Sequence, residues 1–414
     1  MSDARIRGDF GRLVAAGTIS NFGSMLTAVA FPFLAIQLLD ATPAQIAAIN
    51  AAAILPAIVL GLFAADAIDR MFRKPLLIVA DLARAALLLA VPLAAFTGVL
   101  AMEHLYLFAF ARGLLDFVFD VAEHSYLPSL VEPRALVSAN SRIQAADAVA
   151  EASAFAAGGW LVQILSAPVA LFVDAATYLV SAFFLLRIRA VEPAPAVRTR
   201  ERSRFAEIGA GLAEIARTPA LLAISASGIL IALAGQITGA VYMLFVYREL
   251  GFSPGTLGML FALGSGGSFA SAFAAERVPE RHSGLTAMFV GLLLAAAGAL
   301  VLPLAPGSTL LGVAAIAFQQ IVGDFGHVIW QVHQSSLRQR ITPPAVLGRV
   351  AGGIRFLSSI ATLFGTAAGG WLGETVGLRP TLVVGGLLLI VSAVVVLPAG
   401  RRGRASQVEV SVPK

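Results

Sequence analysis

Five ionisable residues stand close together in an otherwise apolar run: Arg112, Asp116, Asp120, Glu123 and His124. Spacings of four, eight, and eleven or twelve residues place them on one face of a helix. Arg112 and Asp116 lie one turn apart and can pair. Three carboxylates on one face repel one another when all are ionised, so the stripe is a candidate proton site. A second stripe, Gln320, Asp324, His327, Gln331 and Gln334, offers hydrogen-bonding groups and one more carboxylate. His327 is a candidate proton relay, because a free imidazole titrates near neutrality. A histidine held by packing alone is the other reading of that residue.

Enzymatic chemistry fits these residues poorly. His327 and His333 are six residues apart and do not share a helix face, and no HExxH pattern is present. An intramembrane enzyme built on Asp324, His327 and His333 is therefore the remote alternative. The chain has no cysteine. That excludes thiol nucleophiles, disulfides, iron–sulfur clusters and cysteine zinc sites. Its lysines, Lys74 and Lys414, do not follow a glycine, so no Walker A loop exists. An ion gradient is then the expected source of energy for any uphill transport. No metal or cofactor is expected.

The elements that must carry the stripes follow from composition. Of 414 residues, 58% are hydrophobic and 13% charged, where a soluble domain carries about 25% charged. Mean hydropathy is +0.86. Apolar runs of about 20 residues, enough to cross a bilayer core, recur throughout. The expected spans are 12–38, 44–66, 75–99, 104–126, 142–166 and 168–187, then 219–246, 255–275, 285–305, 309–333, 351–373 and 379–399. The expected fold is thus an all-α membrane protein of twelve transmembrane helices in two pseudo-symmetric six-helix bundles.

Two bundles are expected because the chain repeats itself. Ala-Ala-Gly-Gly-Trp-Leu occurs at Ala156–Leu161 and at Ala367–Leu372, 211 residues later. The same offset maps Pro43 onto Pro254, Pro133 onto Pro344, and Asp69-Arg70 onto Glu280-Arg281. It also relates the two stripes, sending Asp116 to His327 and Asp120 to Gln331. A long, apolar, duplicated unit is the build of a secondary transporter. The expected domains are 1–187, a linker 188–218, 219–400 and a tail 401–414.

Charge sets the orientation. Arg70, Arg73, Lys74, Arg134, Arg277, Arg281, Arg338, Arg340 and Arg349 fall in one set of connections, together with the arginine-rich linker. The opposite loops hold Arg248 and Arg379. By the positive-inside rule both termini are expected in the cytoplasm, in a multi-pass protein of the cytoplasmic membrane. The net charge of +5 then meets anionic lipid headgroups rather than nucleic acid. In the linker, Phe205, Ile208, Leu212 and Ile215 have helical apolar spacing. A short amphipathic helix on the membrane face and a flexible tether are both open there.

The halves, the termini and the basic central loop resemble the major facilitator superfamily. Asp69-Arg70-Met71-Phe72-Arg73-Lys74 resembles that family's cytoplasmic loop motif, with Ala65 where the motif has glycine. The resemblance implies a cytoplasmic gate formed by Asp69, Arg70, Arg73 and Lys74. Ala154-Phe155-Ala156-Ala157-Gly158-Gly159 is similar to the antiporter motif of the fifth helix, without its proline. The stretches Ala80–Ala85, Tyr126–Val131 with Ala139-Asn140-Ser141-Arg142, and Asp174–Ser181 resemble the enterobactin-exporter-like efflux branch. In the superfamily the first, fourth, seventh and tenth helices line a central cavity. That implies a substrate- and proton-binding set of Asn21, Arg112, Asp116, Asp120, Gln236, Gln320, Asp324, His327 and Gln331.

Other polar groups read as structural. Asp81 and Arg84, three residues apart, form an expected pair. Asp147 and Glu151 are assigned to interhelical hydrogen bonds slightly ahead of transport. Glu123 and His124 are equally readable as headgroup-zone residues. Gly158, Gly159, Gly369 and Gly370 allow close helix approach. The expected function is proton-coupled efflux of small amphiphilic molecules by alternating access, by a monomer whose partners are a small-molecule substrate, protons and lipid. An importer or a lipid transporter of the same fold is the alternative.

Overall fold

The computed structural model describes residues 3–63, 70–132, 135–190, 192, 204–276 and 284–409. The described residues are helical between short turns. Lipid offers no partner to a backbone N–H or C=O, so a spanning chain must satisfy them within its own helices. Pro43, Pro219, Pro254 and Pro344 each open a helix, where a missing N–H costs nothing.

The first six helices are α1 (Asp3–Leu38), α2 (Pro43–Phe63), α3 (Arg73–Phe96), α4 (Met102–Leu130), α5 (Leu136–Leu165) and α6 (Ala167–Leu186). After them come α7 (Arg204–Arg217), α8 (Pro219–Leu244) and α9 (Pro254–Glu276). The last are α10 (Gly284–Val301), α11 (Leu310–Ile341), α12 (Pro344–Thr375) and α13 (Leu378–Glu409). A π turn at Phe245–Glu249 prolongs α8, and another at Gln319–Gly323 interrupts α11. Ten described helices are long and apolar enough to cross a membrane. The helix α4 lies outside those ten, because Arg112, Asp116, Asp120 and Glu123 run along its middle.

The chain forms two compact units, Met1–Thr199 with Phe252–Ala262, and Arg200–Gly251 with Leu263–Lys414. In the first, α1 packs on α5 and α6, α3 on α4 and α6, and α2 on α4. Leu13, Phe119, Tyr126 and Leu185 are at most 4% exposed in one of its cores. In the second, α8 packs on α12 and α13, and α10 on α11 and α13.

The duplication is visible in the packing of each unit. A Cβ on Gly158 of α5 would lie 3.2 Å from Leu26 and 3.4 Å from Val29 of α1. On Gly369 of α12 it would lie 2.7 Å from the Ile237 carbonyl and 2.9 Å from Ala240 of α8. Each residue of the second contact is its counterpart in the first plus 211. Gly370 is buried beside Gly369. Gly159 instead faces Pro254 and Gly258 of the short α9 segment that belongs to the first unit.

The linker helix α7 exists, and the C-terminal part of its apolar side is covered by protein. Ile215, with Leu212 beside it, packs with Leu221, Val350 and Ile354. Gly211 lets it meet the Arg349 carbonyl of α12. The segment is thus a helix, as one of the two readings had it, and its apolar periodicity also serves a protein contact.

Candidate functional site in the first unit

The carboxylate stripe of α4 does not act alone. Asp116 Oδ2 lies 3.3 Å from Nε of Arg112, one turn away. Its Oδ1 accepts a hydrogen bond of 3.1 Å from Nη1 of Arg84, on α3. Arg84 Nη2 also donates to Asp81 Oδ1 at 2.5 Å. The guanidinium sits 4.0 Å from the ring centre of Phe119 and 4.4 Å from that of Tyr178. Carboxylates meet its edge and aromatic rings meet its faces. Only the planar fork of arginine satisfies both demands, and a lysine would not.

The network continues into α1 and α6. Ser181 donates to Asp81 Oδ2 at 2.6 Å. Ser24 and Tyr178 share a hydrogen bond of 2.9 Å, and the Ser24 carbonyl accepts from Nη2 of Arg112 at 3.2 Å. Asp174 accepts from Thr27 and, at 3.0 Å, from Thr177. Gly23 makes this approach possible, since a Cβ there would collide with Thr177 and Asp174. Asp81, paired with Arg84, and Asp174, hydrogen-bonded to two threonines, are both fully buried. Asp116 is the open member, its side chain 33% exposed. The expected pair of Asp81 and Arg84 is present. That Arg84 also reaches Asp116 was not readable, because no spacing along one helix encodes a contact across two.

The rest of the α4 stripe lies one to two turns further on. Asp120 is exposed, and its carbonyl is bonded to Nδ1 of His124 at 2.8 Å. Glu123 packs on Gly17 of α1. Asn21 faces Asp147 of α5.

The second stripe occupies α11 around its π turn. Such turns recur at functional sites. Tyr242 of α8 donates to Gln319 at 3.2 Å. Gln320 is buried, and Gln320 and Asp324 both crowd Gly264 of α9. His327 is half-buried with its ring 5.7 Å from that of Trp330. Gln331 is exposed. Gln236 accepts from Thr366 of α12 at 3.2 Å. His333 is tied to the Ile329 carbonyl at 2.8 Å, within its own helix.

Of the gate motif, Asp69 lies outside the described residues and Arg70 is exposed. The backbone N–H groups of Arg73 and Lys74 donate to Glu192 at 2.8 and 3.1 Å. Lys74 Nζ donates to the Ile188 carbonyl at 2.7 Å.

A duplicated helical unit with buried ion pairs in apolar helices narrows the comparison with known proteins. The family model described as Major Facilitator Superfamily matches residues 13–361. The chain belongs to the major facilitator superfamily. It is thus a multi-pass membrane protein that transports small molecules. The chain is 26% identical over 399 residues to the Bacillus subtilis protein named uncharacterized MFS-type transporter YfiS, covering 93% of this chain and 91% of that one. It is 22% identical over 321 residues to the MFS-type transporter YvqJ of the same organism, covering 77% and 75%. Among solved structures, a bacterial homologue of the iron transporter ferroportin aligns with TM-score 0.76 and 18% identity, over 96% of this chain and 99% of that one. The nucleoside transporter NupG aligns with TM-score 0.73 and 14% identity, over 94% and 98%. At such identities the structures speak for the fold.

Proposed function

We propose that this chain is a proton-coupled exporter of small amphiphilic molecules, working as a monomer in the cytoplasmic membrane with both termini in the cytoplasm. The observation that carries the reading is Asp116, an open carboxylate on a membrane helix held between two arginines. Ionisable groups inside a bilayer are costly and mark ion and substrate pathways. Arg112, Asp116 and Asp120 of the first repeat, with Asn21, are assigned to substrate and proton binding, as are Gln320, Asp324, His327 and Gln331 of the second, with Gln236. Alternating access by the two repeats is the mode of transport, with residues 1–187 and 219–400 as the repeats, 188–218 as the linker and 401–414 as the tail. Resemblance to the enterobactin-exporter-like branch supports the outward direction. Asp69, with Arg70, Arg73 and Lys74, is assigned to the cytoplasmic gate.

A substrate panel in inverted membrane vesicles, with and without an imposed pH gradient, tests the reading. Accumulation should require the gradient. Asp116→Asn should abolish gradient-driven accumulation and leave substrate exchange partly intact. An Asp116→Asn protein that folds and still concentrates substrate removes this residue from coupling.

A further inference from the structure

Gly298, Gly326 and Gly369 of the second unit each face a neighbouring backbone. Gly264 of α9 faces something else. A Cβ there would lie 2.8 Å from Nε2 of Gln320, 3.1 Å from Cβ of Gln320 and 3.1 Å from Oδ2 of Asp324. Both are side chains assigned above to substrate and proton binding, and all three residues belong to the second unit. Gly264 and Gln320 are buried. The tip of a flexible side chain moves more cheaply than a backbone, so a Cβ at 264 would displace these polar groups before it displaced a helix.

The first repeat shows what the glycine permits. The offset of 211 relates Gly264 to Ala53, Gln320 to Ala109 and Asp324 to Gly113. Those counterparts touch as well, but there the glycine is on α4: a Cβ on Gly113 would run into the Ala53 carbonyl of α2. The small residue has changed sides. With the glycine moved to α9, the matching position of α11 carries a carboxylate.

We propose that Gly264 is a positioning residue for transport: by lacking a Cβ it gives Asp324 and Gln320 room to stand together against α9, and a larger residue there moves them. The inference rests on the reading of Asp324 as part of the transport site.

Modification of Asp324 by dicyclohexylcarbodiimide, read by peptide mass spectrometry on the full chain in nanodiscs, tests this without a transport assay. Gly264→Ala should change the rate by about threefold or more, the scale of one side chain forced off its rotamer. The effect should shrink when Gln320→Ala is also present, because the first obstacle to the new Cβ is then gone. Gly239→Ala in α8, where a Cβ meets nothing within 4 Å, should leave the rate as it was. An unchanged rate in folded Gly264→Ala overturns the proposal. So does an equal change from Gly239→Ala, or an effect of Gly264→Ala that is undiminished beside Gln320→Ala. Should Gly264→Ala fail to fold, the triple change with Gln320→Ala and Asp324→Gly, which copies Ala53, Ala109 and Gly113, decides the matter. Recovered folding supports the steric role, and no recovery overturns it. A chain that passes these tests while Asp324→Asn still accumulates substrate would fail the transport reading alone.

Discussion

The two repeats keep several helix contacts in common, and at one set of matched positions they hold them by different chemistry. In the first, Asp81, Arg84, Arg112, Asp174 and Tyr178 tie α1, α3, α4 and α6 with charge and hydrogen bonds. The offset of 211 turns these residues into Leu292, Ala295, Gly323, Gly385 and Leu389. At these positions the second unit brings its helices together at glycines, while Ser227 and Ser392 share a buried hydrogen bond of 2.8 Å between α8 and α13. Gly298 would place a Cβ 2.8 Å from Gly323 Cα, and Gly326 lies against the Gly291 carbonyl. Thr27 bonds Asp174 in one repeat; its counterpart Thr238 lies against Gly385, the counterpart of Asp174, in the other. Duplication preserved where helices touch and left the means of contact free to diverge. Buried charges demand partners, whereas glycine contacts need only the space a side chain would fill.

The sharpest way to break this comparison is to strand a charge. Arg84→Gln should lower stability by about 3–5 kcal/mol, since it leaves buried carboxylates uncompensated. Heat unfolding in one detergent measures it, and a loss under about 1 kcal/mol would show that the network is not what holds this unit. Next comes the glycine side. Gly326→Leu should cost about 1–3 kcal/mol by forcing α10 and α11 apart, whereas Leu115→Met at the equivalent position should cost less than about 1.5 kcal/mol. Similar losses at both would erase the asymmetry.

Smaller effects test the linker helix and an exposed ion pair of the second repeat. Ile215→Val in α7 should cost about 0.5–1.5 kcal/mol, because Ile215 is buried against α12. No loss would mean that α7 is undocked in solution. Glu249→Gln removes an ion pair with Arg379 that is 42% and 35% exposed, so it should cost less than about 1 kcal/mol. Arg379 keeps the Pro303 and Ala305 carbonyls at 2.6 and 3.1 Å either way.

Much of the fold could be read before any coordinates, for a physical reason. Apolar runs of bilayer length and a constant offset depend only on residue order, and order is what a sequence records. The Arg112–Asp116 and Asp81–Arg84 pairs were readable on the same ground, because turns of one helix are sequence neighbours. The fork at Arg84 was hidden because it joins α3 to α4 and stacks on α6. The glycines at 291, 298, 323 and 326 carried no signal against an apolar background; only those in the repeated hexapeptide stood out. The docking of α7 was hidden for a different reason. Lipid and a protein groove ask the same amphipathic pattern of a helix.

The π turn at Gln319–Gly323 separates counting from pointing. Its wider loop accommodates about one extra residue, so the chain beyond it is rotated by roughly 100° from where an unbroken helix would aim it. The helix α4 is continuous over the matching stretch. Asp116 and His327 are therefore twins in the alignment but need not be twins in direction. After duplication, one backbone irregularity could re-aim a whole polar row at once, a change that no catalogue of substitutions would reveal.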